Sequence, residues 1–342
     1  MEVAAAAAKD VCICRCFTPF LSMKAILVKE FGAPDVLALE TVPDPVPGWE
    51  QVIVQIAAAG VNPVDTYIRS GAYAVKPELP YTPGADGAGV ISALGGGVSG
   101  LRTGDRVYVT GSLSGTYAER AVCSFKQVHP LPASLSFAQG AALGVPYTTA
   151  HLAVFARGRA LAGERVLIHG GTGGVGLAAI QLARAAGLTV LATGGSAAGR
   201  TLAAAQGAHA VFDHHQPGYL DEILLHTAGR GVDLIIEMLA NVNLGKDLTL
   251  LAPGGRVAIV GSRGPVEINP RDAMTRSATI LGVMLFAASP AERTCITAAL
   301  GAGLENGSLR PVIAREFPLA DAAAAHRVVM EPGAAGKVVL IP

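Results

Sequence analysis

The stretch His169-Gly-Gly-Thr-Gly-Gly-Val-Gly176 decides how this chain folds. It holds Gly171-x-Gly173-x-x-Gly176, a spacing that a chain with 42 glycines in 342 residues can produce by chance. Its surroundings give it meaning. Arg165-Val-Leu-Ile-His169 before it reads as a strand, and residues 175–186 after it read as an apolar helix. A strand that enters a glycine turn and leaves as a helix is the phosphate-binding turn of a βαβ unit. The glycines permit the tight turn and let the backbone approach a pyrophosphate, while the helix N-terminus offers free N–H groups.

Reading on toward the C-terminus, strands and helices alternate. Strands are expected at 189–192, 210–212, 233–236, 256–260 and 279–283, with helices at 198–206, 218–228 and 243–251. Such alternation means a doubly wound parallel sheet, an α/β Rossmann domain spanning 146–287. An acid about 20 residues past the glycine turn would grip the ribose 2′-hydroxyl of NAD. Here that place reads Leu191-Ala-Thr-Gly-Gly195-Ser196, without an acid, and Arg200 lies close by. A carboxylate would repel a 2′-phosphate and a guanidinium would hold it, so the expected cofactor is NADPH.

Reading outward toward the N-terminus, the pattern changes. Residues 24–145 give short strands, such as Lys24–Val28, Gln51–Ile56 and Asp105–Val109, broken by Pro43, Pro45, Pro47 and the glycine-rich Pro83-Gly-Ala-Asp-Gly-Ala-Gly-Val-Ile91. This is a β-rich domain. After a helix expected at 290–306, the last strand, Gly336–Ile341, is apolar enough to rejoin it. Asn62-Pro-Val-Asp65 has the form of a helix start, with Asn as N-cap, Pro at the first position and Asp three residues on; Gly71 would end that short helix. Residues 1–22 fit neither domain and are expected to be a disordered extension; the spacing of Cys12, Cys14 and Cys16 lacks a partner pair for a structural zinc site.

Composition narrows the function. Lys plus Arg and Asp plus Glu are each 26, so no bulk positive charge draws the chain to nucleic acid. Five cysteines in 342 residues are no disulfide framework and suit a reducing, cytoplasmic setting. No run of 18 apolar residues suggests a transmembrane helix.

The segments GVNPVDTYIRSG (60–71), PYTPGADGAGVI (80–91), HGGTGGVGLAA (169–179), IIEMLANVNLGKDL (235–248) and GGRVAIVGSRGPVEINPRD (254–272) resemble the medium-chain dehydrogenase/reductase superfamily. Within it they are most similar to the zinc-free, zeta-crystallin-like quinone oxidoreductases, and the resemblance runs over residues 23–342. It implies a GroES-like catalytic domain over 23–145, completed by 288–342, beside the Rossmann domain. Zinc members hold their catalytic metal with Cys, a His-Glu pair and a further Cys. Here Asn62, Ala85-Asp86 and Val145 stand at those places, so the resemblance implies no metal. It implies NADPH-dependent reduction of a quinone in the interdomain cleft, in some relatives one electron at a time to give semiquinones. Reduction of α,β-unsaturated carbonyls is the alternative.

The resemblance also assigns residues. Asn62 and Tyr67 are the candidates for orienting the acceptor, and Tyr67 also lines the cofactor site. Thr172, Gly173, Gly174 and Val175 carry the phosphates, Gly195 lies by the adenosine ribose, near the Arg200 already read from the missing acid, and His214 lies by the adenine. Asn243, then Val260, Gly261, Ser262 and Arg263, then Val283, Met284 and Leu285 follow the later strands toward the nicotinamide. Relatives associate as homodimers or homotetramers, some bind AU-rich mRNA and some accumulate as lens crystallins. The present chain carries no RNA-binding motif of its own.

Overall fold

The computed structural model describes residues 22–333 and 335–342. The extension expected at 1–22, with Cys12, Cys14 and Cys16, lies outside the described residues except for Ser22. Strand β1 (Ser22–Val28) pairs antiparallel with β2 (Leu37–Pro43). Strands β3 (Gln51–Val61), β4 (Asp86–Leu94), β5 (Arg106–Thr110), β6 (Arg120–Ser124) and β7 (Val128–Pro130) build the β-rich domain, with α1 (Pro63–Arg69) between β3 and β4. Helices α2 (Phe137–Gly140) and α3 (Gly144–His151) then lead out of it.

The Rossmann unit follows as β8 (Arg165–Ile168), α4 (Gly174–Ala185), β9 (Thr189–Thr193), α5 (Ala197–Ala205), β10 (Ala210–Phe212), α6 (Tyr219–His226), β11 (Val232–Glu237), α7 (Ala240–Leu250), β12 (Leu251–Ile259), α8 (Pro270–Arg276) and β13 (Thr279–Gly282). Its six strands run parallel in the order β10-β9-β8-β11-β12-β13. The order reverses between β8 and β11, which opens a crevice at their carboxyl ends. Val166, Leu167 and Ile168 of β8 and Leu234, Ile235 and Ile236 of β11 are fully buried, as strands covered on both faces by helices must be.

The chain returns through α9 (Pro290–Glu305), β14 (Ile313–Pro318), α10 (Ala322–Val328) and β15 (Lys337–Ile341). The first-domain sheet has the order β14-β15-β3-β4-β5-β7, with β6 also on β3. Strand β15 lies antiparallel to β3, Val338 opposite Val61 and Leu340 opposite Ala59. Among the described residues no helix is long and apolar enough to cross a membrane.

Two elements depart from the sequence reading for identifiable reasons. Strand β12 starts at Leu251 rather than 256, because the Pro253-Gly-Gly255 that reads as a turn is taken up where the pairing with β11 shifts register between Val232 and Leu234. Helix α7 starts at Ala240 rather than 243, because the Glu237 carboxylate accepts from the Leu239 N–H and turns the chain at once.

Candidate active site

The glycine turn separates its tasks by position. At Gly176 a Cβ would lie 2.2 Å from the Gly170 carbonyl oxygen, and at Gly171 2.8 Å from the Ala192 Cβ, so these two are glycine for internal packing. At Gly173 the nearest atom would be 3.7 Å away, so the absence of a side chain there serves open space over the N-terminus of α4. Gly170, at φ 59°, makes the bend. The Gly173 N–H is taken by the Gly170 carbonyl at 3.1 Å, so the N–H groups of Thr172, Gly174 and Val175 are the ones this turn can offer to the crevice, a cradle that fits a pyrophosphate.

The remaining residues named for the cofactor follow the carboxyl ends of the strands. After β9, the loop Gly194-Gly195-Ser196 enters α5, with the Ser196 hydroxyl capping the Gly199 N–H at 3.1 Å. His214 and His215 crowd Gly195: a Cβ there would lie 3.0 Å from His214 Nε2 and 2.7 Å from His215 Nε2. Burial and the neighbouring His215 hold His214 below its ordinary pKa. Arg200 reaches back to the Gly194 carbonyl at 3.3 Å and pairs with Asp213 at 2.8 Å, which keeps its guanidinium on the rim of this end. Past β12, Gly261 packs against Met238, where a Cβ would meet the carbonyl oxygen at 2.5 Å; the Arg263 N–H is held by Asn241 Oδ1 at 2.9 Å, and Ser262 donates to the Gly264 carbonyl. Val260 and Val283 are partly buried where β12 and β13 end, and Met284, 54% exposed, reaches Tyr73. Leu285 lines the cleft.

Asn243 lies just past β11, the fourth strand of the Rossmann sheet. It lies on the first turns of α7, and its Nδ2 donates to Glu237 Oε1 at 3.2 Å. Glu237 belongs to a buried group that the sequence reading missed. His169 Nε2 contacts Asp247 Oδ1 at 2.9 Å and Glu237 Oε2 at 3.7 Å, and its Nδ1 lies 3.3 Å from Thr193 Oγ1. Burial lifts the Glu237 carboxyl to about 7, and Asp247 and Glu237 raise the His169 imidazole despite its burial. Among the described residues this is the one histidine and acid cluster tight enough to hold a cation, with ligand atoms within 4.8 Å. It sits beneath the turn, at the switch point of the sheet.

On the other side of the crevice the helix start at Asn62 is half built. Asp65 accepts from the Asn62 N–H at 2.8 Å, as a capping box should, and the Asn62 side chain faces the Asp65 N–H in the same box but makes no cap hydrogen bond. Its amide turns inward instead, 2% exposed: Nδ2 donates to Asp86 Oδ2 at 2.9 Å, and Oδ1 accepts from Lys337 Nζ. Lys337 also donates to Asp86 Oδ2 at 3.0 Å, and the Val145 N–H donates to Asp86 Oδ1 at 2.8 Å. Asn62, Asp86 and Val145, which stand at the zinc-ligand places of the superfamily, thus meet around one carboxylate. The cation among them is the Lys337 ammonium. One carboxylate, one amide and a backbone N–H around an ammonium are not a donor set for zinc, which needs clustered N and S ligands. Lys337 had a visible signal, a charged residue opening an otherwise apolar strand, but nothing in the sequence says where its side chain goes. Tyr67 lies partly buried on α1.

Between the domains lies a cavity of about 460 Å³, lined by Asp86, Tyr108, Thr110, His129, Val145 and Phe286 among others. That is ample for a fused aromatic ring system. His129 bonds Thr110 Oγ1 at 2.9 Å, and burial drops its pKa to about 4, so this wall is neutral and polar.

Comparison with known proteins accords with this geometry. Residues 48–133 match the Alcohol dehydrogenase GroES-like domain and residues 174–300 the Zinc-binding dehydrogenase family. The chain is 53% identical to a quinone oxidoreductase of Lama guanicoe, over 93% of this chain and 97% of that one. It is 50% identical to one of Homo sapiens, over 93% and 98%. The structure of Escherichia coli quinone oxidoreductase complexed with NADPH superposes with a TM-score of 0.85 at 28% identity, covering 93% of this chain and all of that one (100%). With a GroES-like domain, a Rossmann domain and relatives matched along nearly their whole length, the chain belongs to the quinone oxidoreductase family of the medium-chain dehydrogenase/reductases and is an oxidoreductase.

Proposed function

We propose that the protein reduces quinones with NADPH and without a catalytic metal. The observation that carries this reading is the pairing of the open glycine cradle, with no acid in residues 191–196 at the end of β9, with an interdomain cavity that reaches Asp86 of the Asn62–Asp86–Lys337 group. When bound, NADPH supplies the reducing equivalents. In the two-electron form it would supply a hydride, and one proton from solvent would complete the hydroquinone. The chain's own part is to bind, orient and exclude water. Thr172–Val175 hold the pyrophosphate, and Gly195, Ser196 and Arg200 receive the 2′-phosphate. Tyr67, Val260 and Val283 border the nicotinamide, and Thr110 and His129 line the acceptor's side.

A quinone needs little activation beyond placement, because its carbonyls already accept electrons readily. That suits a site whose polar groups are the Asn62 amide, the Asp86–Lys337 pair, the Thr110 hydroxyl and the His129 imidazole. A second copy of the chain pairing along the edge strand β13, where Ile280 is 40% exposed and Met274 of the preceding helix α8 is 72% exposed, is the assembly we propose. The test of function is NADPH oxidation with 9,10-phenanthrenequinone, with NADH in parallel. Fast turnover with NADPH and slow turnover with NADH is expected. Equal rates would overturn the cofactor assignment, and no quinone-dependent turnover would overturn the reaction.

A further inference from the structure

We infer that Lys337 is a positioning residue for the reduction, its buried ammonium acting through Asn62 in the place where zinc-dependent relatives carry their metal. The inference rests on the quinone-reductase reading. Three observations carry it. First, the ammonium is enclosed: Lys337 is 4% exposed, and its two oxygen partners, Asn62 Oδ1 and Asp86 Oδ2, belong to residues 2% and 0% exposed. The channel for its stem is tight, since a Cβ on Gly60 would lie 2.9 Å from Lys337 Cε. Second, this contact overrides local preference. Asn62 is in place to cap α1 and keeps the outline of a capping box with Asp65, yet the hydrogen bonds of its amide go to Lys337 and Asp86. Third, the same short segment touches the cofactor turn. The Gly336 N–H donates to the Thr172 carbonyl at 2.9 Å, and Gly336 bridges Gly173. One step along the chain therefore joins the backbone that cradles the pyrophosphate to the amide on the acceptor side.

The chemistry follows from the bonds. With its oxygen on Lys337 and one N–H on Asp86, Asn62 has one N–H left to offer. A cation on an amide oxygen draws electron density from the nitrogen and strengthens that remaining N–H as a donor. Such a donor stabilises a carbonyl oxygen that gains negative charge as the acceptor is reduced. Asp86 balances the lysine charge, so the pair adds direction to the site without adding net charge.

The experiment compares wild type with Lys337→Met, which keeps the stem and removes the charge, and with Lys337→Ala assayed with and without n-propylammonium, n-propanol serving as the neutral control. Readouts are the Kd of NADPH by fluorescence, kcat with 9,10-phenanthrenequinone, and the melting temperature. The expected result is a roughly 10- to 100-fold fall in kcat for Lys337→Met with the Kd of NADPH nearly unchanged, and recovery of Lys337→Ala turnover by n-propylammonium but not by n-propanol. Full kcat in folded Lys337→Met overturns the inference, as does equal rescue by the alcohol, which would mean that only volume matters. Should Lys337→Met not fold, the rescue arm decides alone. Should neither fold, Asp86→Asn, which leaves the lysine in place, is expected to lower kcat likewise, and full activity there overturns the inference. A wild type that never reduces the quinone overturns the proposed function, and this inference falls with it; a working wild type with an unimpaired lysine variant overturns this inference alone.

Discussion

Asn62 shows what a residue's neighbours in sequence can and cannot say. Asn-Pro-x-Asp announces a helix start, and α1 does begin at Pro63 with Asp65 bonded back to the Asn62 N–H at 2.8 Å. The other half of that box makes no hydrogen bond, because partners 24 and 275 residues away take the amide. Long-range partners of this kind leave no periodicity, so the Lys337 contact was not legible, nor was the triad of His169, Glu237 and Asp247. The placement of Gly195, Ser196 and Arg200 just past β9 was legible, because it depends on distance along the chain from the glycine turn. Arg200 carries the first prediction at this scale. Arg200→Ala removes the cation at the ribose end, and a charged hydrogen bond is worth about 1.5–3 kcal/mol. The ratio of kcat/KM for NADPH over NADH should fall about tenfold or more, with NADH turnover little changed. An unaltered ratio would show that Asp213, not a phosphate, is the only partner Arg200 serves.

At the scale of elements, the glycine turn was read correctly because strand, turn and helix are contiguous. Elements were found reliably where periodicity runs uninterrupted, as in β8, α4 and β11. They were misjudged where glycine and proline imitate a stop, as at Pro253-Gly-Gly255, or where a buried side chain starts a helix early, as Glu237 does for α7. Two glycines of the turn make opposite predictions. Gly176→Ala forces a Cβ to 2.2 Å from the Gly170 oxygen and should destabilise the fold by about 1–3 kcal/mol, seen as a lower midpoint in urea. Gly173→Ala meets nothing closer than 3.7 Å and should keep that midpoint, while its methyl intrudes on the pyrophosphate and weakens NADPH binding about tenfold or more. Equal loss of stability in both variants would contradict the division of tasks.

At the scale of the molecule, the buried ionisable groups set how stability responds to pH. Burial raises the Asp65 carboxyl to about 7 and that of Glu237 to about 7, and the acids beside His169 raise its imidazole. Groups whose folded pKa is raised stabilise the fold fully below their unfolded pKa and lose that contribution as pH rises through the folded one. His129 and His326, lowered by burial to about 4 and about 3, act the other way, but only below their unfolded value near 6.5. Between pH 6.5 and 8 the first set acts without this opposition. The melting temperature should therefore fall by several degrees over that range, and Asp65→Asn should flatten the fall. A melting temperature that rises with pH there would contradict the assignment. The domain arrangement itself was legible in outline, since β15 is apolar apart from Lys337 and pairs with β3.

In the proposed reaction the protein places its substrates and uses an internal ammonium, that of Lys337, where zinc-dependent relatives use a metal. The most direct test is quinone-dependent oxidation of NADPH by protein dialysed exhaustively against a chelator, then assayed with and without added zinc. Undiminished turnover that zinc does not increase, with NADPH preferred over NADH, is the expected result. Loss of activity on dialysis and its return with zinc would contradict the central claim.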